Sequence, residues 1–187
     1  VGYVMDRSRT RAPELRRVIA DVVSKDPVTY NEGFLGKSNK EYCTWILNPQ
    51  HWGGAIELSI LSQHYSREIA AYDIQTCRCD VYGEGEKYSE RAMLLYDGLH
   101  YDALGLEAFP GAPEEVDCTI FSTHGGEAAQ TAVLAEQLVR EAHRAKAFTD
   151  VANFTLRCLV CQKGVVGENE ARTHAKETGH QNFGEYK

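Results

Sequence analysis

Two groups of residues in this 187-residue sequence have the types and spacing to do chemistry. The first is Cys158-x2-Cys161-x12-His174-x5-His180. Thiolate sulfur and imidazole nitrogen are ligands that zinc prefers, and four of them complete a tetrahedron. Cysteines three apart suit the turn of a hairpin, and histidines six apart suit the end of a helix whose last turn widens to keep both rings on one side. All four residues fall within a 23-residue window, which two unrelated pairs would not explain. A closed set of four ligands leaves no position for substrate, so the zinc is expected to be structural. It stabilises a segment too short to hold itself together.

The second group is Tyr96-Asp97-Gly98-Leu99-His100-Tyr101-Asp102. Asp97-Gly98 reads as a turn, with His100 after it and Asp102 two residues further on. Residues two apart on a strand face the same side. Asp102 is therefore expected to approach the His100 ring and hold its tautomer, as the third member of a catalytic triad does. The plainer alternative is a histidine beside a turn with no chemical role. Trp52-Gly53-Gly54-Ala55-Ile56-Glu57 also stands out. A glycine pair before a helix permits close backbone approach, and free N–H groups at a helix start favour an acceptor. The plainer reading is a loop with a buried Trp leading into a helix. His51, His64, His124 and His143 lack a neighbour like Asp102 and read as structural.

These residues need elements to hold them. Residues 12–25 read as a helix, with Pro13 at its start, Leu15, Val18, Ile19 and Val22 at helical spacing, and Asp26-Pro27 as its stop. A short helix is predicted over 28–35, closing at Gly36. Ser38-x-x-Glu41 is a capping box and predicts a third helix through Trp45-Ile46. A buried helix follows from Ala55 to about His64. The period then changes. Runs 67–74, 77–82, 91–96 and 117–122 are short, rich in Ile, Val, Leu and Tyr, and bounded by turns, so they read as strands. His100 to Ala103 is a further candidate strand. Residues 105–116 read as a loop, and 127–147 as a long amphipathic helix with Val133, Leu134, Leu138 and Val139 on one side. Helices first, then strands, then a helix suggests an α+β fold, a mixed sheet flanked by helical layers, with a small finger at the end.

Composition excludes several classes. A hydrophobic fraction of 43% with 25% charged residues is that of a globular chain. A formal charge of −7 without a long Lys/Arg run argues against a nucleic-acid binder held by phosphate contacts. A single finger covers only ~3 base pairs, and Glu168, Glu170 and Glu177 leave its helix region without a basic face. No DNA partner is expected. No apolar run reaches the ~18–20 residues that span a bilayer, so no membrane insertion is expected either. The six cysteines exceed what a chain of this size needs as disulfides, and two belong to the zinc set. Cys43, Cys77, Cys79 and Cys118 are expected to be small buried thiols in a reducing compartment, cytoplasm or nucleus.

Taken together, Tyr42-Cys43-Thr44-Trp45-Ile46, Trp52 to Glu57, Tyr96 to Asp102, and Phe154-Thr155-Leu156-Arg157-Cys158 with the finger resemble the ovarian-tumour (OTU) family of cysteine deubiquitinases. The resemblance is to the subgroup with a C-terminal zinc finger and covers essentially the whole chain. It implies an OTU cysteine-protease fold over 1–125, a connecting helix over 126–150 and a ββα-type finger over 151–187. It implies hydrolysis of the isopeptide bond joining ubiquitin to lysine, and so ubiquitin and polyubiquitin chains as substrates. His100 matches the family's catalytic histidine and Asp102 the residue that orients it. Trp52, Gly53, Gly54 and Glu57, with Tyr96, Asp97, Gly98 and Leu99, match the walls of the channel for the ubiquitin tail. It further implies an AAA-ATPase segregase as partner, bound through an N-terminal domain absent here, and a place in ER-associated degradation.

One departure is decisive. The family's nucleophile sits in an Asp-x-x-Cys motif at a helix start, where the dipole and the histidine favour the thiolate. No such motif occurs in this sequence, which begins at Val1 rather than Met. By the same resemblance the cysteine lies about five residues before Val1, and the chain is expected to be an N-terminally truncated, inert piece of an active enzyme. A non-catalytic ubiquitin-binding protein of the same fold is the alternative, with a nucleic-acid-binding finger protein behind it.

Overall fold

The computed structural model describes residues 1–150, 155–180 and 182–185. Five helices come first: α1 (Gly2–Asp6), α2 (Ala12–Lys25), α3 (Glu32–Leu35), α4 (Asn39–Leu47) and α5 (Ala55–Tyr65). Their ends follow local chemistry. The Ser38 hydroxyl and Glu41 carboxylate cap each other's backbone N–H at the start of α4, as the capping box predicts. Asn31 caps α3 and Gly36 ends it in the left-handed conformation at φ 71°. That cap places the start of α3 at Glu32 rather than residue 28, and 29–30 belong to the preceding turn. Pro13 sits in the first turn of α2.

Strands β1 (Glu68–Asp73), β2 (Cys79–Tyr82), β3 (Glu90–Tyr96), β4 (Tyr101–Leu104) and β5 (Ile120–Ser122) form one mixed sheet. The order is β2-β1-β3-β4, with β5 beside β3. β1 and β3 run parallel, and their other pairings are antiparallel. Both faces of this central pair are buried, which explains their near-continuous apolar runs. Ile69, Ala71, Ala92 and Leu94 face the core made with α1, α2, α4 and α5, where Val4, Ile19, Val23 and Ile46 are almost fully buried. Ala70, Tyr72 and Met93 face the other way, onto Phe121 and helix α6 (Gly125–Arg144). Arg91 holds Glu68 across the pair through Nε at 2.8 Å and a terminal nitrogen at 2.5 Å, opposite it in register.

The mixed sheet between helical layers agrees with the α+β expectation, but α6 differs from it in detail. Among its expected apolar stripe only Val139 is buried, while Val133, Leu134 and Leu138 stand 44–52% exposed. The buried side is Thr131, Ala135 and Val139, small residues that let the helix lie close on the sheet. The helix read as a connector is thus a covering layer. The expectation for the thiols is also corrected: Cys77, Cys79 and Cys118 are exposed and Cys43 is half-buried. Cys77 lies in the β1–β2 turn and Cys79 opens β2, a strand with no buried residue, so alternation there does not imply burial.

The finger contains β6 (Thr155–Cys158), β7 (Gly164–Val166), α7 (Gly167–Thr178) and a third strand, β8 (Phe183–Glu185), which pairs with β6 and was not expected. The expected domain boundary at 151, and Phe154 of the motif, lie outside the described residues. No described helix is long and apolar enough to cross a membrane.

Candidate active site

His100 lies in the turn between β3 and β4, just before β4 begins at Tyr101. The turn is built by Asp97. One of its carboxylate oxygens accepts from the N–H groups of Leu99 at 2.8 Å and His100 at 2.6 Å. The other meets His100 Nδ1 at 3.3 Å. Tyr96 and Tyr101 stack at 4.6 Å beneath the turn, and the Tyr96 hydroxyl donates to the Gly98 carbonyl at 2.7 Å. Burial pushes the Tyr101 hydroxyl up to about 12. Gly98 adopts φ +99°, a conformation open to glycine.

The carboxylate on the ring is therefore that of Asp97, not Asp102. His100 precedes the strand, so the same-face relation of residues two apart does not reach it. Asp102 is exposed and lines a separate cavity of about 550 Å³ with Tyr3, Arg9 and Glu114. Among the described residues no hydrogen bond joins Asp102 to the imidazole. The signal for Asp97 was present in the sequence, since Asp before Gly offers its side chain to N–H groups two and three residues on.

Burial opposes ionisation of Asp97, yet the N–H groups of His100 and Leu99 and the imidazole outweigh it and hold the carboxyl below its ordinary value of 3.8. A depressed folded-state value stabilises the turn fully above the unfolded value, and the contribution disappears as pH falls through the folded one. An NMR titration of the Asp97 carboxyl carbon is expected to show it protonating only below the ordinary carboxylate range, with the hydrogen-bonded position of the Leu99 amide lost at the same step. A Leu99 amide shift constant through acid would show that the carboxylate does not hold the turn.

The second motif meets the first in space. The Trp52 ring lies 4.4 Å from the His100 ring, centre to centre, at 52°. The expected burial of Trp52 is not found: it is 58% exposed, and Leu99 is 47% exposed. The loop carrying Trp52 is held by two groups with no signal in the sequence. Arg16 of α2 donates to the carbonyls of Ile46 at 2.7 Å, Asn48 at 3.1 Å and His51 at 2.5 Å. His51 stacks on Trp45 at 5.0 Å, and its Nδ1 lies 2.7 Å from the Trp45 carbonyl.

Glu57, on the first turn of α5, is buried. Its carboxylate accepts from the Gly54 N–H at 2.6 Å and from the buried Tyr42 hydroxyl of α4. Desolvation, then the Glu57 carboxylate, raises the Tyr42 pKa far above the phenol range, so Tyr42 remains a donor. A Cβ on Gly53 would come within 2.9 Å of Glu57 Cγ, so glycine lets the loop cross this side chain. Tyr42→Phe is expected to cost about 1–3 kcal/mol, because it leaves a buried carboxylate oxygen without its donor. A urea melt unchanged from wild type would show that water replaces the hydroxyl.

A cavity of about 380 Å³ lies beside this loop, lined by Val1, Gly2, Gly53, Gly54, Glu57 and Tyr101 among others. Cys43 does not line it. Its thiol points at the Ala20 carbonyl, 3.5 Å away on α2, and burial pushes its pKa up, the reverse of what a nucleophile needs.

In the finger, Cys158, Cys161, His174 and His180 place their ligand atoms within 4.8 Å of one another. Cys158 Sγ lies 3.6 Å from His180 Nδ1, and Cys161 Sγ 3.4 Å from His174 Nε2. Zinc–sulfur and zinc–nitrogen bonds of ordinary length give tetrahedron edges of about 3.5 Å, so the set fits the metal. His180 does not sit on a widened helical turn. Helix α7 stops at Thr178, and Gly179, left-handed at φ 76°, turns the chain so that His180 presents Nδ1.

Comparison with known proteins bears on the fold and the finger. Residues 152–186 match the family described as "Ubiquitin thioesterase OTU1, C-terminal C2H2-type zinc finger". The chain is 59% identical over 189 residues to "OVARIAN TUMOR DOMAIN-containing deubiquitinating enzyme 2" of Arabidopsis thaliana, covering 100% of this chain and 90% of that protein. It is 50% identical to "Ubiquitin thioesterase OTU1" of Dictyostelium discoideum, covering 100% of this chain and 57% of that protein. To the Homo sapiens protein of the same name it is 53% identical, over 93% of this chain and 49% of that one. It thus spans nearly all of the plant relative and about half of the other two. A solved structure described as "Structure of Ovarian Tumor (OTU) domain in complex with Ubiquitin" matches with a TM-score of 0.71 at 28% identity, over 79% of this chain and 80% of that one. With 59% identity to a relative that it covers to 90%, and with its C-terminal residues matching the finger family, this chain belongs to the OTU1-type ubiquitin thioesterases with a C-terminal C2H2 zinc finger.

Proposed function

We propose that this chain supplies the imidazole and the substrate channel of a cysteine-type deubiquitinase that removes or trims ubiquitin chains from conjugated proteins. The observation that carries the reading is the meeting of the Trp52 and His100 rings beside the cavity bordered by Val1, Gly53, Gly54 and Tyr101. The attacking thiol belongs to a D-x-x-C segment before Val1, continuing backward from α1. Residues entering Val1 from that side would run along the cavity that Val1 and Gly2 line.

In this reading His100 Nε2 takes the thiol proton as sulfur bonds to the carbonyl carbon at ubiquitin's C-terminus. The imidazolium returns the proton to the lysine amine as the C–N bond breaks, and water then hydrolyses the thioester by the same route. Asp97 keeps the proton on Nδ1 and so leaves Nε2 free to act. The exposed apolar surfaces of Trp52 and Leu99 flank His100 and would grip an extended tail. The finger holds one structural zinc. Binding to an AAA-ATPase segregase through a domain outside this chain, a part in ER-associated degradation and a cytoplasmic or nuclear setting complete the reading; they rest on the family resemblance. The exposed free thiols of Cys77, Cys79 and Cys118 suit a reducing compartment.

A ubiquitin suicide probe with an electrophilic C-terminus tests this. The protein extended upstream of Val1 is expected to form one adduct, at the upstream cysteine, and this chain none. An adduct at Cys43, Cys77, Cys79 or Cys118 would overturn the assignment. Ubiquitin binding without any adduct in the extended protein would favour the non-catalytic reading.

A further inference from the structure

The segment that leaves α6 for the finger crosses the histidine turn. Thr149 N–H donates to the Asp97 carbonyl at 2.7 Å. At the same point a Cβ on Gly98 would lie 2.4 Å from the Thr149 carbonyl oxygen, so the two backbones are in direct contact. The strap is anchored on its own side. His143, near the end of α6, stacks on Phe148 at 5.6 Å and 10°, and its Nδ1 lies 2.9 Å from the Ile74 carbonyl. Ile74 in turn donates to the Tyr96 carbonyl at 3.0 Å, at the end of β3. The main chain of Asp97 is therefore fixed from the strap, while its side chain fixes the Leu99 and His100 amides and the imidazole.

We propose that the strap 147–150 is a positioning element for the active-site histidine, acting through the Thr149 backbone on Asp97 and through Asp97 on the His100 ring. Thr149 touches neither substrate nor the reacting atoms. Its position ties the orientation of His100 to the attachment of the finger, which begins a few residues further on. Glycine at 98 is required by this crossing as well as by its φ, since any side chain would push the strap away. The functional meaning rests on the catalytic role of His100; the coupling itself does not, and can be measured without turnover.

The test is NMR on this chain. Long-range nitrogen–proton spectra report the His100 tautomer, and amide exchange reports the turn. Wild type is expected to show the proton on Nδ1. Thr149→Pro removes the N–H and is expected to mix the tautomers and speed exchange of the Leu99 and His100 amides by about tenfold, the equivalent of one lost hydrogen bond. Thr149→Ala keeps the N–H and is expected to match wild type. Gly98→Ala approaches from the other side and should reproduce the proline signature. A folded Thr149→Pro with wild-type His100 signals would overturn the proposal. Should the variants fail to fold, wild-type exchange still decides: the Thr149 and His100 amides should open together, and independent opening refutes the coupling. Failure of the catalytic reading shows elsewhere, as an extended protein that does not react with the ubiquitin probe.

Discussion

His100→Ala, made in the protein that carries the upstream thiol, is expected to lower kcat/KM for a fluorogenic ubiquitin substrate by a factor on the order of 10²–10⁴, with ubiquitin binding little changed. The ring is half-exposed and touches Trp52 and Asp97 but fills no part of either core, so its removal should leave the melting temperature near wild type. The two carboxylates near it then separate. Asp97→Asn keeps an oxygen for the Leu99 and His100 N–H groups but removes the charge that holds the proton on Nδ1. Asp102→Asn changes a side chain facing another cavity. Asp97→Asn is expected to cost at least about tenfold more in kcat than Asp102→Asn. If Asp102→Asn is as harmful or more so, the orienting role returns to Asp102, and the ring must rotate toward β4 once the thiol helix is in place.

Metal removal is the second large effect. The finger buries few described side chains of its own, among them Cys158, Val165, Ala171 and His174, and two of these four are ligands. So small an apolar core cannot offset the entropy of ordering some thirty residues. Zinc binding of about 10–16 kcal/mol can. A strong chelator, or Cys158→Ser, is expected to release one zinc per chain by colorimetric assay and bring the amides of 155–180 to nearly unprotected exchange. The amides of β1 and β3 should keep their protection, because among the described residues the cores on either side of that strand pair include none from the finger. Finger amides that stay protected after the metal has gone would refute a metal-held fold.

Much of this protein is legible in its sequence. Helix ends were visible because they depend on neighbours: Ser38 and Glu41 at one start, Gly36 at one stop, Pro13 in one first turn. The strands showed as short apolar runs because β1 and β3 are covered on both faces. The zinc set showed because four ligands within 23 residues need no long-range information. The family could be read for a related reason, since its motifs are short and keep their order along the chain.

Other features existed only once the chain was folded. Trp52 and His100 are 48 positions apart, and no local rule brings their rings to 4.4 Å. Arg16 holds the Trp52 loop from α2, through carbonyls that any residue would offer. The choice of Asp97 over Asp102 turned on where β4 begins, a boundary set by pairing with β3. The buried stripe of α6 followed how closely that helix lies on the sheet, which favoured alanine and threonine over leucine. Sequence carries what neighbours along the chain decide through hydrogen bonds, φ preferences and ligand chemistry. Tertiary structure decides which distant surfaces meet, because burial rewards contact area without regard to separation along the chain.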